Sequence, residues 1–445
     1  MGISPIEIFK KLPKTNCGDC GYPTCMAFAV ALTQGKAELS ACPHVDEAAA
    51  EELSASSQPP VLPVTIGAGD SAFKTGGETV LFRHEKTFVS PTGIAVLITD
   101  QMDDAEVDRR IKAINDLQYE RVGMTLKANL VAVKSDDPDK LAALAQKADS
   151  NAGLPLILIS EKADALKKAA EPLKDKQPLL YAATAENADD VIGVAKELDV
   201  PVAAKGKDLD GLVEITEKMA GQGLKKIVID SGDREIKPAL ESQVQIRRQA
   251  IKKTFRPLGY PTITFPCEMS EDPFKEALYA SVFIPRYAGI MVLSDLKPEF
   301  LFPLLVERMN IYTDPQRPMA QDPGIYDLNE PDENAPLLVT SNFSLTYFIV
   351  SGEIETSRQP ARLLVVDTEG LSVLTGWAAG KFAADLIGPT VLKSGVADKM
   401  SKKRIVIPGA VAQISGELEE ELPDWEVIIG PRDAANIAAF LRDLS

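Results

Sequence analysis

Four of the five cysteines fall within the first 42 residues, as Asn16-Cys17-Gly18-Asp19-Cys20-Gly21-Tyr22-Pro23-Thr24-Cys25 and Ala41-Cys42-Pro43, a C-x2-C-x4-C-x16-C spacing. The first three thiols sit on a loop punctuated by Gly and Pro. Such a loop lets several sulfurs converge and leaves backbone N–H groups free to bond sulfide. The fourth thiol returns after one short helix, Met26 to about Leu32, and its trailing proline matches the Cys-Pro ending of bacterial ferredoxin motifs. Three chemistries compete for this pattern. A disulfide pair is out of keeping with a cytoplasmic chain. A structural four-cysteine zinc site is usually built from two separated C-x2-C knuckles. A [4Fe–4S] cluster suits three cysteines packed within nine positions plus one remote, and its chemistry is one-electron transfer. The cluster is the favoured reading, with the other two left open.

The remaining candidates are few. Cys267 follows the apolar run Thr262–Phe265 and reads as a core thiol. His44 and His84 are the only two histidines, neither has a partner at metal-ligand spacing, and His44 reads as a surface residue. Histidine-rich metal sites are therefore excluded, and a Ser-His-Asp triad is disfavoured. Asp100, Asp230 and Asp295 follow apolar runs, where an acid can serve catalysis but more commonly caps the next helix.

These residues need a scaffold, and 445 residues suggest about three domains. Residues 1–57 form the cysteine module, followed by the connector Ser54–Pro60. Within residues 58–312, eight apolar runs alternate with stretches of helical period. The runs are Ile94–Thr99, Leu130–Val133, Leu156–Ile159, Leu179–Ala182, Val202–Ala204, Ile227–Ile229, Thr262–Phe265 and Ile290–Leu293. Eight βα units argue for a closed TIM-like (β/α)8 barrel, although an open doubly wound sheet also fits the alternation. Residues 313–336 read as a Pro-rich acidic linker. Residues 337–445 hold four further strand candidates, Leu337–Thr340, Leu363–Asp367, Arg404–Ile407 and Trp425–Ile429, each followed by a helix. Four units cannot close a barrel, so an open Rossmann-like α/β sheet is expected.

Forty-eight Lys and Arg against 65 Asp and Glu leave a net charge of −17, which disfavours nucleic acid and anionic membrane surfaces. No apolar run approaches the ~20 residues of a spanning helix, and the first residues lack a signal-peptide core. A cytoplasmic protein is expected. In open parallel sheets, ligands lie beyond the carboxyl ends of the strands. Here those ends are Thr340-Ser341-Asn342, Thr368-Glu369-Gly370-Leu371-Ser372, Pro408-Gly409-Ala410 and Gly430-Pro431-Arg432. They are small and mostly uncharged, with no G-x-G-x-x-G, so a dinucleotide fits poorly. A broad ligand with amides on its rim fits better, while the plainer explanation is that short βα turns favour such residues.

The order of the parts, a four-cysteine module, a barrel and a small open α/β domain, resembles the large (gamma) subunits of corrinoid iron–sulfur proteins, methyl carriers of the reductive acetyl-CoA pathway. The resemblance runs the length of the chain. Its specific residues are Asn16–Cys25 with Cys42-Pro43, and Val366-Asp367-Thr368-Glu369-Gly370-Leu371-Ser372-Val373-Leu374-Thr375. The resemblance implies cluster ligation by Cys17, Cys20, Cys25 and Cys42. It also implies a cobamide held through Thr340, Thr346, Gly370, Leu371, Ser372 and Val373, and through the Gly409 and Gly430 turns. The cobalt would carry a methyl group from methyltetrahydrofolate, by way of a separate methyltransferase, to acetyl-CoA synthase. The cluster would return Co(II) to Co(I), drawing on a low-potential electron donor. The implied partner is a smaller TIM-barrel subunit in a heterodimer, and the chain is a carrier rather than a stand-alone enzyme. The last domain contains no histidine, so the chain could give cobalt no imidazole ligand there, which would ease reduction to Co(I). Two other functions remain open: a barrel that itself binds a pterin and transfers methyl groups, and a ferredoxin-like electron-transfer protein without corrinoid.

Overall fold

The computed structural model describes residues 5–33, 37, 39–46, 58–314 and 317–444; within the expected connector Ser54–Pro60, residues 54–57 lie outside these. The chain divides into two compact units. One comprises Met1–Leu81, Phe88–Asp116 and Ala128–Arg308, the other Phe82–Thr87, Leu117–Lys127 and Met309–Ser445.

In the first unit, helix Pro5–Lys11 packs on helix Cys25–Thr33 around Ile8, Leu12, Cys25, Phe28 and Ala29. A short antiparallel hairpin follows, β1 (Val64–Ile66) with β2 (Phe73–Thr75). Next comes β3 (Gly93–Thr99). A second small hairpin, β4 (Tyr119–Arg121) and β5 (Met124–Leu126), belongs to the other unit. The barrel then continues through β6 (Leu130–Lys134), β7 (Leu156–Ile159), β8 (Leu179–Ala183), β9 (Val202–Lys205), β10 (Ile227–Asp230), β11 (Thr262–Thr264) and β12 (Ala288–Leu293). These seven strands and β3 are all parallel and form a closed barrel in sequence order. Every one of the eight apolar runs is a barrel strand, so the closed alternative holds and the open sheet does not.

Period-two alternation sends Ala95, Leu130, Ala132, Ile157, Leu179, Ala203, Val228, Ile263 and Ile290 into the barrel core. Val64 and Ile66 of the first hairpin join the same core, and a side chain at Gly93 would strike the Phe73 ring at 2.5 Å. The amino-terminal end of the barrel is thus stoppered by β1 and β2. Surrounding helices start at recognisable caps. Asp137 accepts from the Asp139 and Lys140 amides at 2.9 and 3.0 Å, and Asp208 accepts from the Gly211 amide at 2.8 Å.

The second unit contains a five-stranded sheet: β13 (Gly324–Leu328), β14 (Leu337–Ser341), β15 (Ala361–Val366), β16 (Arg404–Ile407) and β17 (Glu426–Ile429), in the order β13-β15-β14-β16-β17. β13 is antiparallel to β15 and the other pairings are parallel. One face is covered by Phe382, Ile387, Val391 and Leu418, the other by Ile354, Ile437 and Leu441. From β14 the chain moves outward to β15, then returns to place β16 on the opposite side. That reversal opens a crevice between the carboxyl ends of β14 and β16.

Two expectations need correction. The segment 313–336 is not merely a connector, because β13 lies within it and pairs along all of its length with β15. Its five residues carry no alternating apolar pattern strong enough to mark an edge strand. The single helix expected after the strand candidate Leu363–Asp367 is two helices, Val373–Ala378 and Ala384–Ser394, separated at Gly380 with φ +70°.

Candidate functional site

The cysteine loop is held by its own side chains. Asn16, at φ +50°, accepts the Cys25 amide on Oδ1 at 2.8 Å, and Thr24 Oγ1 accepts the Ala27 amide at 3.1 Å to start the second helix. Gly18 and Gly21 both have φ +83°, a left-handed bend that bulkier residues resist. Cys25 is buried in the small core, Cys20 and Cys42 pack against it, and Cys17 is exposed. Beside Cys17, His44 Nε2 lies 2.7 Å from Asp19 Oδ2. The His44 ring, and after it the Cys17 thiol, holds the Asp19 carboxyl below its usual range. His44 is thus a surface residue engaged with the loop.

The carboxyl end of the barrel is filled by partnered charges. β8 and β10 point Tyr181 and Asp230 inward, and the Tyr181 hydroxyl donates to Asp230 Oδ2 at 2.5 Å. Arg234 donates to Asp230 Oδ2 and to the Tyr181 oxygen, each at 2.9 Å, and to Glu268 Oε2 at 2.5 Å. Its guanidinium lies 4.7 Å from the centre of the Phe265 ring, and Lys134 reaches Glu268 at 3.1 Å. Burial, then the charge of Asp230, pushes the Tyr181 hydroxyl well up. Burial pushes Glu268 up too, but Arg234 and Lys134 more than offset it and leave the carboxyl below its usual range. Cys267 packs against the barrel core as expected, its thiol pushed up chiefly by burial.

The other strand-end acids are also engaged by side chains. Asp100 accepts from Ser135 Oγ at 2.8 Å, and Asp295 pairs with Arg109 at 2.8 Å. A depression of about 710 Å³ beside β8 and β9 is lined by five acids and two lysines, Lys205 and Lys207. Lys207 is paired with Glu186 at 2.7 Å.

The crevice of the five-stranded sheet is different. A cavity of about 250 Å³ opens there, lined by Thr340 from β14, Ile407 and Pro408 from the end of β16, Gly430 and Arg432 after β17, and Ser372, Val373 and Leu374 after β15. Thr346 and Val350 close it from helix Ser344–Ser357. The Thr340 hydroxyl is wholly buried with no hydrogen-bond partner. Ser341, facing the other side of the sheet, is also buried without a partner, and the cavity does not account for it.

Glycines let the rim close up. A Cβ on Gly409 would sit 2.4 Å from the Gly430 carbonyl oxygen, and one on Gly430 would sit 2.8 Å from Val406 Cγ1. The two turns are stitched by Gly409 N–H to the Pro431 carbonyl at 3.1 Å and Gly430 N–H to the Ile407 carbonyl at 2.9 Å.

Of the eight residues expected around a ligand, Thr340, Thr346, Ser372, Val373 and Gly430 line this cavity. Gly370, Leu371 and Gly409 stand behind it in the turns. Two residues that the sequence marks only as parts of strand-end turns have larger roles. Asn342, 3% exposed, accepts on Oδ1 from the Thr368 amide, the Thr368 hydroxyl and the Gly370 amide at 3.0, 2.8 and 3.0 Å. Its Nδ2 donates to Asp367 at 2.9 Å, so one side chain fixes the turn after β15. Arg432 lines the cavity and is the only cation in the four strand-end turns. Trp425 is core, whereas Trp377 is 40% exposed.

A cysteine module, a closed barrel with charged side chains paired across its mouth, and an open sheet with a neutral crevice define a modular α/β protein. Residues 63–441 match the family model described as CO dehydrogenase/acetyl-CoA synthase delta subunit. Residues 12–44 match one described as "Putative Fe-S cluster". The chain is 44% identical over 444 residues to the corrinoid/iron-sulfur protein large subunit of Moorella thermoacetica, covering 99% of each chain. It is 35% identical over 453 residues to the acetyl-CoA decarbonylase/synthase complex subunit gamma of Methanopyrus kandleri, covering 99% of this chain and 97% of the relative. A truncated 3-deoxy-D-arabino-heptulosonate 7-phosphate synthase from Thermotoga maritima aligns with 56% of this chain and 91% of its own, with 14% identity and a TM-score of 0.39. The chain belongs to the family of corrinoid/iron–sulfur protein large subunits and acetyl-CoA decarbonylase/synthase gamma subunits.

Among the described residues, no helix is long and apolar enough to cross a membrane.

Proposed function

We propose that this chain is the methyl-carrying subunit of a corrinoid iron–sulfur protein, with Cys17, Cys20, Cys25 and Cys42 holding a [4Fe–4S] cluster and the crevice of the five-stranded sheet holding a cobamide. When bound, the corrinoid cobalt supplies a site that takes a methyl group from methyltetrahydrofolate, through a separate methyltransferase, and yields it to acetyl-CoA synthase, while the cluster supplies single electrons that return cobalt to Co(I). A smaller barrel subunit and a low-potential electron donor complete the set of partners.

The observation that carries the reading is the Thr340 hydroxyl, wholly buried and unpartnered at the wall of the cavity. An unmade hydrogen bond at such a group costs roughly 1–3 kcal/mol, a cost removed when a ligand amide reaches it. Thr346 and Ser372 also line the cavity, and the Gly409 and Gly430 turns pack closely together at its rim. Among the described residues no histidine lines the cavity, which suits cobalt free of a protein imidazole.

Three cysteines within nine positions and a remote fourth favour a multi-iron cluster over one zinc at the thiol site. The five-residue core of the module is also too small to stand firmly without a staple. The barrel serves as scaffold, because Ser135, Arg234 and Arg109 already occupy the acids a pterin-dependent enzyme would need free.

Metal analysis and absorption spectra of the anaerobically purified protein test the proposal. The expected result is one cobalt and about four irons per chain, with a Co(I) corrinoid band on reduction. Iron without cobalt, unchanged by incubation with cobamide, would leave an electron-transfer protein. Zinc in place of iron would overturn the cluster.

A further inference from the structure

Seventeen residues line the crevice cavity, and Arg432 is the one charged side chain among them. It stands on the turn after β17, where Pro431 limits the backbone and the Gly409 and Gly430 amides tie the turn to the end of β16 at 3.1 and 2.9 Å. The Arg432 amide nitrogen would lie 3.1 Å from a Cβ at Gly409, so the absence of a side chain at 409 lets this backbone settle against the neighbouring turn. The base of the side chain is fixed, while its guanidinium is exposed and makes no hydrogen bond or ion pair among the described residues. Asp433 beside it in sequence does not pair with it. In a chain of net charge −17, where Arg109, Arg234 and Arg247 are bound to carboxylates, Arg432 leaves an unpaired cation at the mouth of an otherwise uncharged cavity, free to meet an anionic group on a ligand.

The ligand proposed for this cavity carries one such group. A cobamide is rimmed by neutral amides, and its nucleotide tail is joined through a single phosphodiester, the one anionic group on its periphery. The whole molecule is several times larger than 250 Å³, so only part of it can enter, and the corrin must lie across the rim. We propose that Arg432 binds the tail phosphodiester, making this turn the element by which the chain distinguishes a complete cobamide from a corrin without its nucleotide. This rests on the corrinoid reading above and adds an anchor to it. A guanidinium suits the task because its planar donors meet two phosphate oxygens at once, which a lysine ammonium cannot match.

The test titrates the full-length, corrinoid-free chain with a complete cobamide and with cobinamide, which lacks the phosphodiester, ribose and base, following binding by absorption. Arg432→Ala should weaken cobamide binding about tenfold or more and leave cobinamide binding unchanged. Arg432→Lys should recover part of the loss, and added salt should weaken the cobamide complex of the unmodified chain more than that of the alanine variant. Because Arg432 is exposed and bonded to nothing, both variants should unfold at the unmodified midpoint. Equal loss of both ligands would overturn the proposal by making Arg432 a general rim contact, as would no loss of either. An unmodified chain that takes up neither ligand would bring down the corrinoid reading and this anchor with it, a failure distinct from one confined to the variants.

Discussion

The two parallel β structures end in opposite ways. At the carboxyl end of the barrel, Tyr181, Asp230, Arg234, Glu268 and Lys134 satisfy one another. At the carboxyl end of the five-stranded sheet, the Thr340 hydroxyl and the Arg432 guanidinium have no partner among the described residues, and two closely packed glycine turns border a cavity. Both ends lie where ligands are commonly bound, so position alone does not separate them. The state of the polar groups does. A network that saturates its own donors and acceptors has little to offer a ligand, whereas a buried hydroxyl left unpaired beside a cavity is one that a ligand can satisfy.

The strongest way to break the contrast is at the barrel. Arg234→Met would leave Asp230, 3% exposed, and Glu268 without their shared cation. Breaking a buried pair on one side costs about 3–5 kcal/mol, so chemical denaturation should show a loss of that order. Corrinoid uptake by the fraction that folds should be unchanged. A variant of normal stability that had lost corrinoid would place the ligand in the barrel instead.

The next effect is at the rim of the sheet. Gly409→Ala forces its methyl against the Gly430 carbonyl oxygen, 2.4 Å away before relaxation. Overpacking of this kind costs about 1–3 kcal/mol, and the two turns must part to relieve it. The variant should fold with that modest loss and retain much less corrinoid on gel filtration. Full retention would show that the close approach of these turns is dispensable to the site.

How far the sequence reveals each end follows from the same physics. Eight apolar runs at regular spacing announce the barrel, because strands buried on both faces must be continuously apolar, and the cysteine spacing announces the thiol site. β13 stays hidden because an edge strand half open to solvent needs no such run. The break at Gly380 stays hidden because residues on both sides of it have helix-compatible patterns. Thr340 and the Gly430 turn are legible as strand ends. Asn342 is not, since its four hydrogen bonds join segments 25 or more residues apart and leave no periodic trace. The barrel plug is equally opaque. Asp230 looks like a candidate acid until Arg234, one helical turn on in sequence, is seen folded over it.

Thr340→Val sharpens the contrast further, because stability and binding should move in opposite directions. Valine replaces the hydroxyl with a methyl of similar size, removing an unpaired buried oxygen. The ligand-free chain should gain about 1 kcal/mol in denaturant, while cobamide affinity falls about five- to tenfold. Loss of stability would mean that the hydroxyl already has a partner within the protein.

The smallest effect is the pH dependence, and it too should differ between the two ends. Glu268 is held below its ordinary value of 4.5 by Arg234 and Lys134 against the push of burial. An acid whose folded pKa is depressed binds fewer protons folded than unfolded, so its contribution is fully present above about pH 4.5 and is lost as the pH falls through the lower folded value. Glu268→Gln should therefore make the acid limb of the stability profile shallower, with a small difference that vanishes in strong acid. Thr340→Val should shift the whole profile without changing its slope, because no group that titrates near pH 4 lines the cavity. A pH-dependent difference at Thr340 would reveal a carboxylate reaching the crevice and would erase the distinction between a self-satisfied mouth and an expectant one.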